Sequence, residues 1–270
     1  MKNKLPASFL MRSIGSMLAV LFLYVVSSAQ NKSLYQHHWY IDKKDTLPYR
    51  VLLPKDYDAS KKYPLILFLH GGGERGRDNE AQLTHGGTLF LRDSIREKYK
   101  AIVVFPQCPA SSYWSNVKIT TDSIQRTRTF NFQSDGEPTL AMKLLLGLLN
   151  HLQRQYKPNE DRIYVGGLSM GGMGTFELAR RKPKTFAAAF PIAGGANAET
   201  ARKLKKSSWW IFHGLKDNVI DPVYSKIMAA AIKAEGATVR LTLYPGIDHN
   251  SWDPALAEKD LLPWLFSQHK

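Results

Sequence analysis

Cysteine is nearly missing from this chain: Cys108 is alone among 270 residues. One thiol forms no intrachain bridge, so the fold does not rest on disulfides. Cys108 lies in Pro106-Gln107-Cys108-Pro109, just after an apolar run, and reads as a packed thiol rather than a reactive one. Repeats, low-complexity tracts and long Gly/Ser linkers are also lacking, so residues 30–270 read as one domain. A basic helix and an aromatic-basic stripe are missing as well, although the net charge is +14. Residues such as Lys43, Lys44, Lys61, Lys62, Arg180, Arg181, Lys205 and Lys206 are scattered. That spread points to solubility, not to a nucleic-acid module; its field also attracts acidic polysaccharide or anionic lipid.

Acidic residues are absent from the first 29 positions, which hold Lys2, Lys4 and Arg12. An apolar stretch from Ile14 to Val26 follows, then Ser27-Ser28-Ala29. A positive start, a short apolar run and small residues at the end spell a signal peptide over 1–29, cleaved after Ala29. The run is short for a membrane span, and no cysteine lies near its end to carry a lipid. The expected location is periplasmic or secreted, with no stable membrane anchor after cleavage.

The remaining composition is ordinary, with 44% hydrophobic and 22% charged residues. Buried-strand runs recur at Tyr49–Leu53, Pro64–His70, Ala101–Phe105, Arg162–Gly166, Ala187–Ala193, Trp209–His213 and Val239–Tyr244. Residues 30–48 carry a first edge strand. Helical patterns fall at Thr139–Tyr156, Gly172–Arg181, Pro222–Ala234 and Pro254–Gln268. This alternation predicts an α/β fold, a mostly parallel sheet with helices on both faces. Residues 107–137 break the alternation and read as a long polar excursion near the site.

Gly167-Leu168-Ser169-Met170-Gly171 follows a predicted strand and opens a predicted helix. A G-x-S-x-G turn in that context exposes the serine hydroxyl above a helix N-terminus, so Ser169 is the expected nucleophile. A serine needs a base. His249 lies after the last strand, in Ile247-Asp248-His249-Asn250, whereas His269 is in the terminal tail and His213 ends a strand and reads as bonding to the loop that follows. Asp217, in the loop after His213, is the expected acid. Asp221 is its rival, with helix capping as its plainer role, and Asp248 adjoins the histidine too closely. The oxyanion donors are expected at the Met170 N–H and in His70-Gly71-Gly72-Gly73, with Gly72 first and Gly73 second. Glu74 and Arg75 read as charges that hold this loop. Trp114, Trp252 and the aromatics from Tyr113 to Phe132 are candidates to line a substrate pocket.

Taken in order, HGGGERG from His70 to Gly76, Pro106-Gln107-Cys108-Pro109 with Trp114 beyond, GLSMGG, HGLKD and Asp248-His249 carry a resemblance. The chain from about 45 to 268 resembles the secreted esterase and predicted-peptidase group of α/β-hydrolases. That group is related to polyhydroxybutyrate-depolymerase-like and feruloyl-esterase-like enzymes and, more distantly, to prolyl oligopeptidase catalytic domains. The resemblance implies an α/β-hydrolase catalytic domain over 30–270 with a Ser169/Asp217/His249 triad. The expected activity is cleavage of carboxylic esters, short-chain acyl or carbohydrate-linked, without metal or cofactor and without a nucleic-acid partner. A prolyl-oligopeptidase-type peptidase and a catalytically silent binding protein are the alternatives.

Overall fold

The computed structural model describes residues 32–122 and 127–270; the expected leader lies outside the described residues. An eight-stranded sheet forms the centre, in the spatial order β1-β2-β4-β3-β7-β8-β9-β10. Its strands are β1 (Gln36–Asp42), β2 (Asp45–Leu52), β3 (Leu65–Leu69), β4 (Ile102–Pro106), β7 (Ile163–Leu168), β8 (Ala188–Ile192), β9 (Ser208–Gly214) and β10 (Val239–Tyr244). β1 and β2 pair antiparallel, and β2 is antiparallel to β4. From β4 to β10 every neighbouring pair is parallel.

Parallel strands need crossovers, and the helices that supply them bury both faces. The strand residues alternate accordingly. Leu65, Leu67 and Leu69 face one core with Ile163, Val165, Trp209 and Ile211. Covering that core are α3 (Leu140–Tyr156), α4 (Met170–Arg181) and α6 (Val223–Ala234). Ile66 and Phe68 face the opposite core with Phe190, Trp210 and Phe212. There α1 (Gly87–Leu91), α7 (Trp252–Ala257) and α8 (Leu261–Ser267) close the layer, with α2 (Asp93–Lys98) alongside. A short α5 (Ala201–Leu204) precedes β9.

Three local findings depart from the sequence reading. The expected C-terminal helix is two helices, α7 and α8, broken at Glu258–Asp260. Pro263 explains the break: in a continuous helix its ring would meet the Lys259 carbonyl, so a fresh turn must start just before it. The polar excursion is not irregular but contains an antiparallel hairpin, β5 (Val117–Asp122) with β6 (Thr127–Phe132). Helices α1 and α2 fall in a stretch that periodicity left without an element.

The segment that follows the hairpin is tied to α4 by buried charge. Glu177 on α4 accepts from Arg180 at 2.7 and 2.8 Å and from Arg181 at 2.7 Å. The same arginines donate onward to the backbone carbonyls of Ser134 and Gly136, at 3.2 and 2.9 Å. Phe130 and Phe132 pack with Met173 and Ile220 beneath the hairpin.

Candidate functional site

Strand β7 runs straight into α4 with Ser169 as the only residue between them. Its backbone takes φ 54° and ψ −117°, a left-handed conformation that costs a non-glycine residue of order 1–3 kcal/mol. The Ser169 N–H donates to the Ile192 carbonyl at 2.8 Å, and the Ser169 carbonyl accepts from Met173 N–H at 3.0 Å, so both sides of the elbow are pinned. Its glycines are needed for close packing. A Cβ on Gly171 would sit 1.9 Å from the Leu69 carbonyl oxygen, and one on Gly172 would sit 2.5 Å from that of Ile192.

The carboxyl ends of β9 and β10 supply the other two groups. His249 Nε2 lies 2.9 Å from Ser169 Oγ, and its Nδ1 lies 2.8 Å from Asp217 Oδ2. Asp217 Oδ1 accepts the N–H groups of Val219 and Ile220, each at 2.9 Å. Burial opposes charge on Asp217, but the hydrogen bonds from His213, His249 and Ile220 outweigh it and hold the carboxyl far below its usual range. The Asp217 carboxyl is therefore ionised at neutral pH. That fixes His249 with its proton on Nδ1 and a free lone pair on Nε2 facing the serine hydroxyl.

The other acids and histidines weighed from the sequence have different surroundings. Asp221 Oδ1 accepts the Val223 N–H at the start of α6, which is a capping bond. Asp248 is exposed, and His269 lies in the exposed tail. His213 is fully buried and bonds to the loop after it, through Nε2 to the Ile220 carbonyl at 2.9 Å.

The glycine loop lies against Ser169. A Cβ on Gly71 would be 3.7 Å from Ser169 Cβ. His70 Nδ1 donates to the Gly71 carbonyl at 2.6 Å, and its Nε2 accepts the Cys108 N–H at 2.9 Å. Because the Gly71 carbonyl and the Gly72 N–H belong to one trans peptide, fixing the first aims the second the opposite way. Gly72 and Gly73 open a 3-10 turn, Gly72–Glu74. Met170 heads α4, where an N–H has no acceptor within its own helix. Arg75 fastens the loop to the excursion, donating to the carbonyls of Gly72, Ala110 and Ser112 at 3.0, 3.2 and 3.3 Å.

The two candidate pocket tryptophans part company. Trp114 is fully buried, edge-on to His70 with centroids 5.5 Å apart, and offers no surface to a ligand. Trp252 is half-buried and stands edge-on to His249, centroids 5.3 Å apart. It also lines a cavity of about 230 Å³ with Thr84, His85, Thr88 and Arg92. His85 packs on Trp252 at 5.2 Å and lies 3.8 Å from the Glu74 carboxylate. Sequence reasoning passed over His85; nothing in His85-Gly86-Gly87 sets it apart from a turn. Among the described residues no group of three or more His, Cys, Asp or Glu could hold a metal ion.

Residues 44–256 match the model of the Esterase family, described as "Putative esterase". The chain belongs to that family. Among solved structures, this esterase-family chain is similar to a thermostable esterase, at 30% identity and TM-score 0.79, covering 89% of this chain and 64% of that one. It shares its fold with a ferulic acid esterase of Anaeromyces mucronatus, solved with ferulic acid, at 15% identity and TM-score 0.59 over 83% of this chain and 86% of that one. Mouse lysophospholipase-like protein 1 is 23% identical over 68% of this chain and 79% of its own length. Dipeptidyl-peptidase 5 of Porphyromonas gingivalis is 28% identical over 63% of this chain, which spans only 23% of that protein. The sheet order and helix layers are those of the α/β-hydrolase esterases.

Proposed function

We propose that the chain hydrolyses carboxylic esters through an acyl-enzyme on Ser169. The observation that carries this is His249, which bridges Ser169 Oγ and Asp217 Oδ2 at 2.9 and 2.8 Å. His249 Nε2 takes the hydroxyl proton as Ser169 Oγ attacks the ester carbonyl. Asp217 stabilises the resulting imidazolium, and the N–H groups of Met170 and Gly72 receive the oxyanion. The tetrahedral adduct collapses, His249 gives its proton to the leaving alcohol, and the acyl group stays on Ser169. Water, deprotonated by His249, then attacks the acyl carbonyl and releases the acid. The orientation of the Gly71–Gly72 peptide by His70 favours Gly72 over Gly73 as the loop donor.

Short-chain acyl and carbohydrate-linked esters are the proposed substrates, with Trp252 edge-on to His249 as a candidate to line their pocket. Export under the 1–29 leader belongs to the same proposal. Peptide cleavage is the second reading, favoured by the likeness to dipeptidyl-peptidase 5. A fluorophosphonate probe should label Ser169 and no other serine. A panel of p-nitrophenyl acetate, methyl ferulate and aminoacyl anilides should show turnover of the esters. Anilide turnover above ester turnover would favour the peptidase, and no labelling at all would favour a silent binding protein. Ser169→Ala should lower ester turnover by more than about a thousandfold.

A further inference from the structure

Asp217 Oδ2 has two imidazole partners. Besides His249, it lies 3.1 Å from Nε2 of His213, which is fully buried at the end of β9. The other neighbour of that nitrogen is the Ile220 carbonyl, so both are acceptors and Nε2 must carry a proton. On the opposite side of the ring, Nδ1 lies 2.7 Å from Ser225 Oγ on α6. Ser225 Oγ in turn reaches the Gly194 carbonyl at 2.9 Å. Gly194 packs on the nucleophile elbow so tightly that a Cβ on it would meet the Gly172 carbonyl carbon at 2.6 Å.

These contacts close a circuit. It runs from Ser169 through the elbow to Gly194, then Ser225, His213, Asp217 and His249, and back to Ser169 Oγ. With Val219 and Ile220 on Oδ1 and two imidazoles on Oδ2, the Asp217 carboxylate has four donors and no freedom to turn. The hydrolytic steps give His213 no proton to move.

We infer that His213 is a positioning residue that locks the plane of the Asp217 carboxylate and ties the acid's loop to the elbow, thereby setting the Ser169–His249 separation. This rests on the proposed triad. Its physical basis is that a displacement of about 1 Å at a reacting group costs on the order of a hundredfold in rate.

Three variants test it with p-nitrophenyl acetate as substrate and thermal unfolding as the control. His213→Phe removes the donor and should lower kcat by roughly 10- to 100-fold while KM stays within about twofold. His213→Gln restores an N–H where Nε2 stood and should recover most of that loss. Ser225→Ala opens the circuit but leaves the donor, and its kcat should fall less than that of His213→Phe. Equal losses in the Phe and Gln variants at equal folded fraction, or a change in KM instead of kcat, would overturn the inference. Should the Phe variant not fold, His213→Leu removes the same donor, and the far-downfield proton resonance of His249 Nδ1–H is compared between it and the wild type. The resonance should move, because the second donor on the shared oxygen is gone, and an unmoved resonance counts against the inference. A wild-type protein that cleaves no ester defeats the hydrolase reading instead, and the resonance still tests His213.

Discussion

The His70 imidazole accepts the backbone N–H of Cys108 on Nε2, 2.9 Å away, across 38 residues of chain. Burial pushes its pKa down to about 4, against the opposing hydrogen bond to Gly71. The folded protein refuses a proton that the unfolded chain accepts below about pH 6.5. The associated stability is therefore present above that pH and is lost as pH falls towards 4, by up to about 3 kcal/mol. Urea unfolding at several pH values between 7 and 4 should show this slope in the wild type. His70→Asn should show a flatter curve, and parallel curves would contradict the assignment.

Not all the glycines at the site answer to the same constraint. Gly171→Ala drives a methyl group into the Leu69 carbonyl, whereas a Cβ on Gly72 meets nothing within 4 Å. The first should cost more than about 4 kcal/mol, and the second less than about 1 kcal/mol. Thermal unfolding of the two variants checks the contrast.

Burial raises the Cys108 thiol to about 12. Only a thiolate reacts readily with disulfide reagents. Dithionitrobenzoate should therefore leave native protein unmodified and react in denaturant. Prompt reaction under native conditions would refute the packed-thiol reading.

Arg50 is buried under the first strand and donates to the carbonyls of Tyr35, Asn79 and Lys32 and to Glu80. The Glu80 side chain is 56% exposed, so the pairing itself is screened. Arg50→Met leaves carbonyls without donors and should cost about 3–5 kcal/mol, while Glu80→Gln should cost about 1 kcal/mol or less. Chemical denaturation of both variants separates the two contributions.

Much of the fold was legible because a strand buried on both faces announces itself. Val239–Tyr244 has the same bounds in sequence and structure, and the others agree to within a few residues. Ser169, Asp217 and His249, which the structure brings within hydrogen-bond reach of one another, each sit where a strand stops, and that position was legible in the sequence. What escaped were features set by tertiary contact. In β5 all but one residue is exposed, so that strand carries no buried stripe; the alternation of Phe130 and Phe132 was the one available sign of its partner. Leu256, Leu261 and Leu265 keep an apolar face turning across the break at Glu258–Asp260, which hid two helices behind one period. The motif marked His213 as a strand end, but its second bond to Asp217 depends on Ser225 and Ile220, which only the folded loop brings near. Trp114 read as a candidate to line a pocket, and only packing shows that its ring is buried edge-on against His70.

The segment just after the β5–β6 hairpin is anchored in a way that leaves room for change. Arg180 and Arg181 grip the carbonyls of Ser134 and Gly136, groups that every amino acid carries. Those clamps do not depend on the side chains of the segment they hold. Ser134 is thus open to rewriting by evolution or by design, whereas Phe130 and Phe132, packed on Met173 and Ile220, and Gly136, at φ 83°, are not.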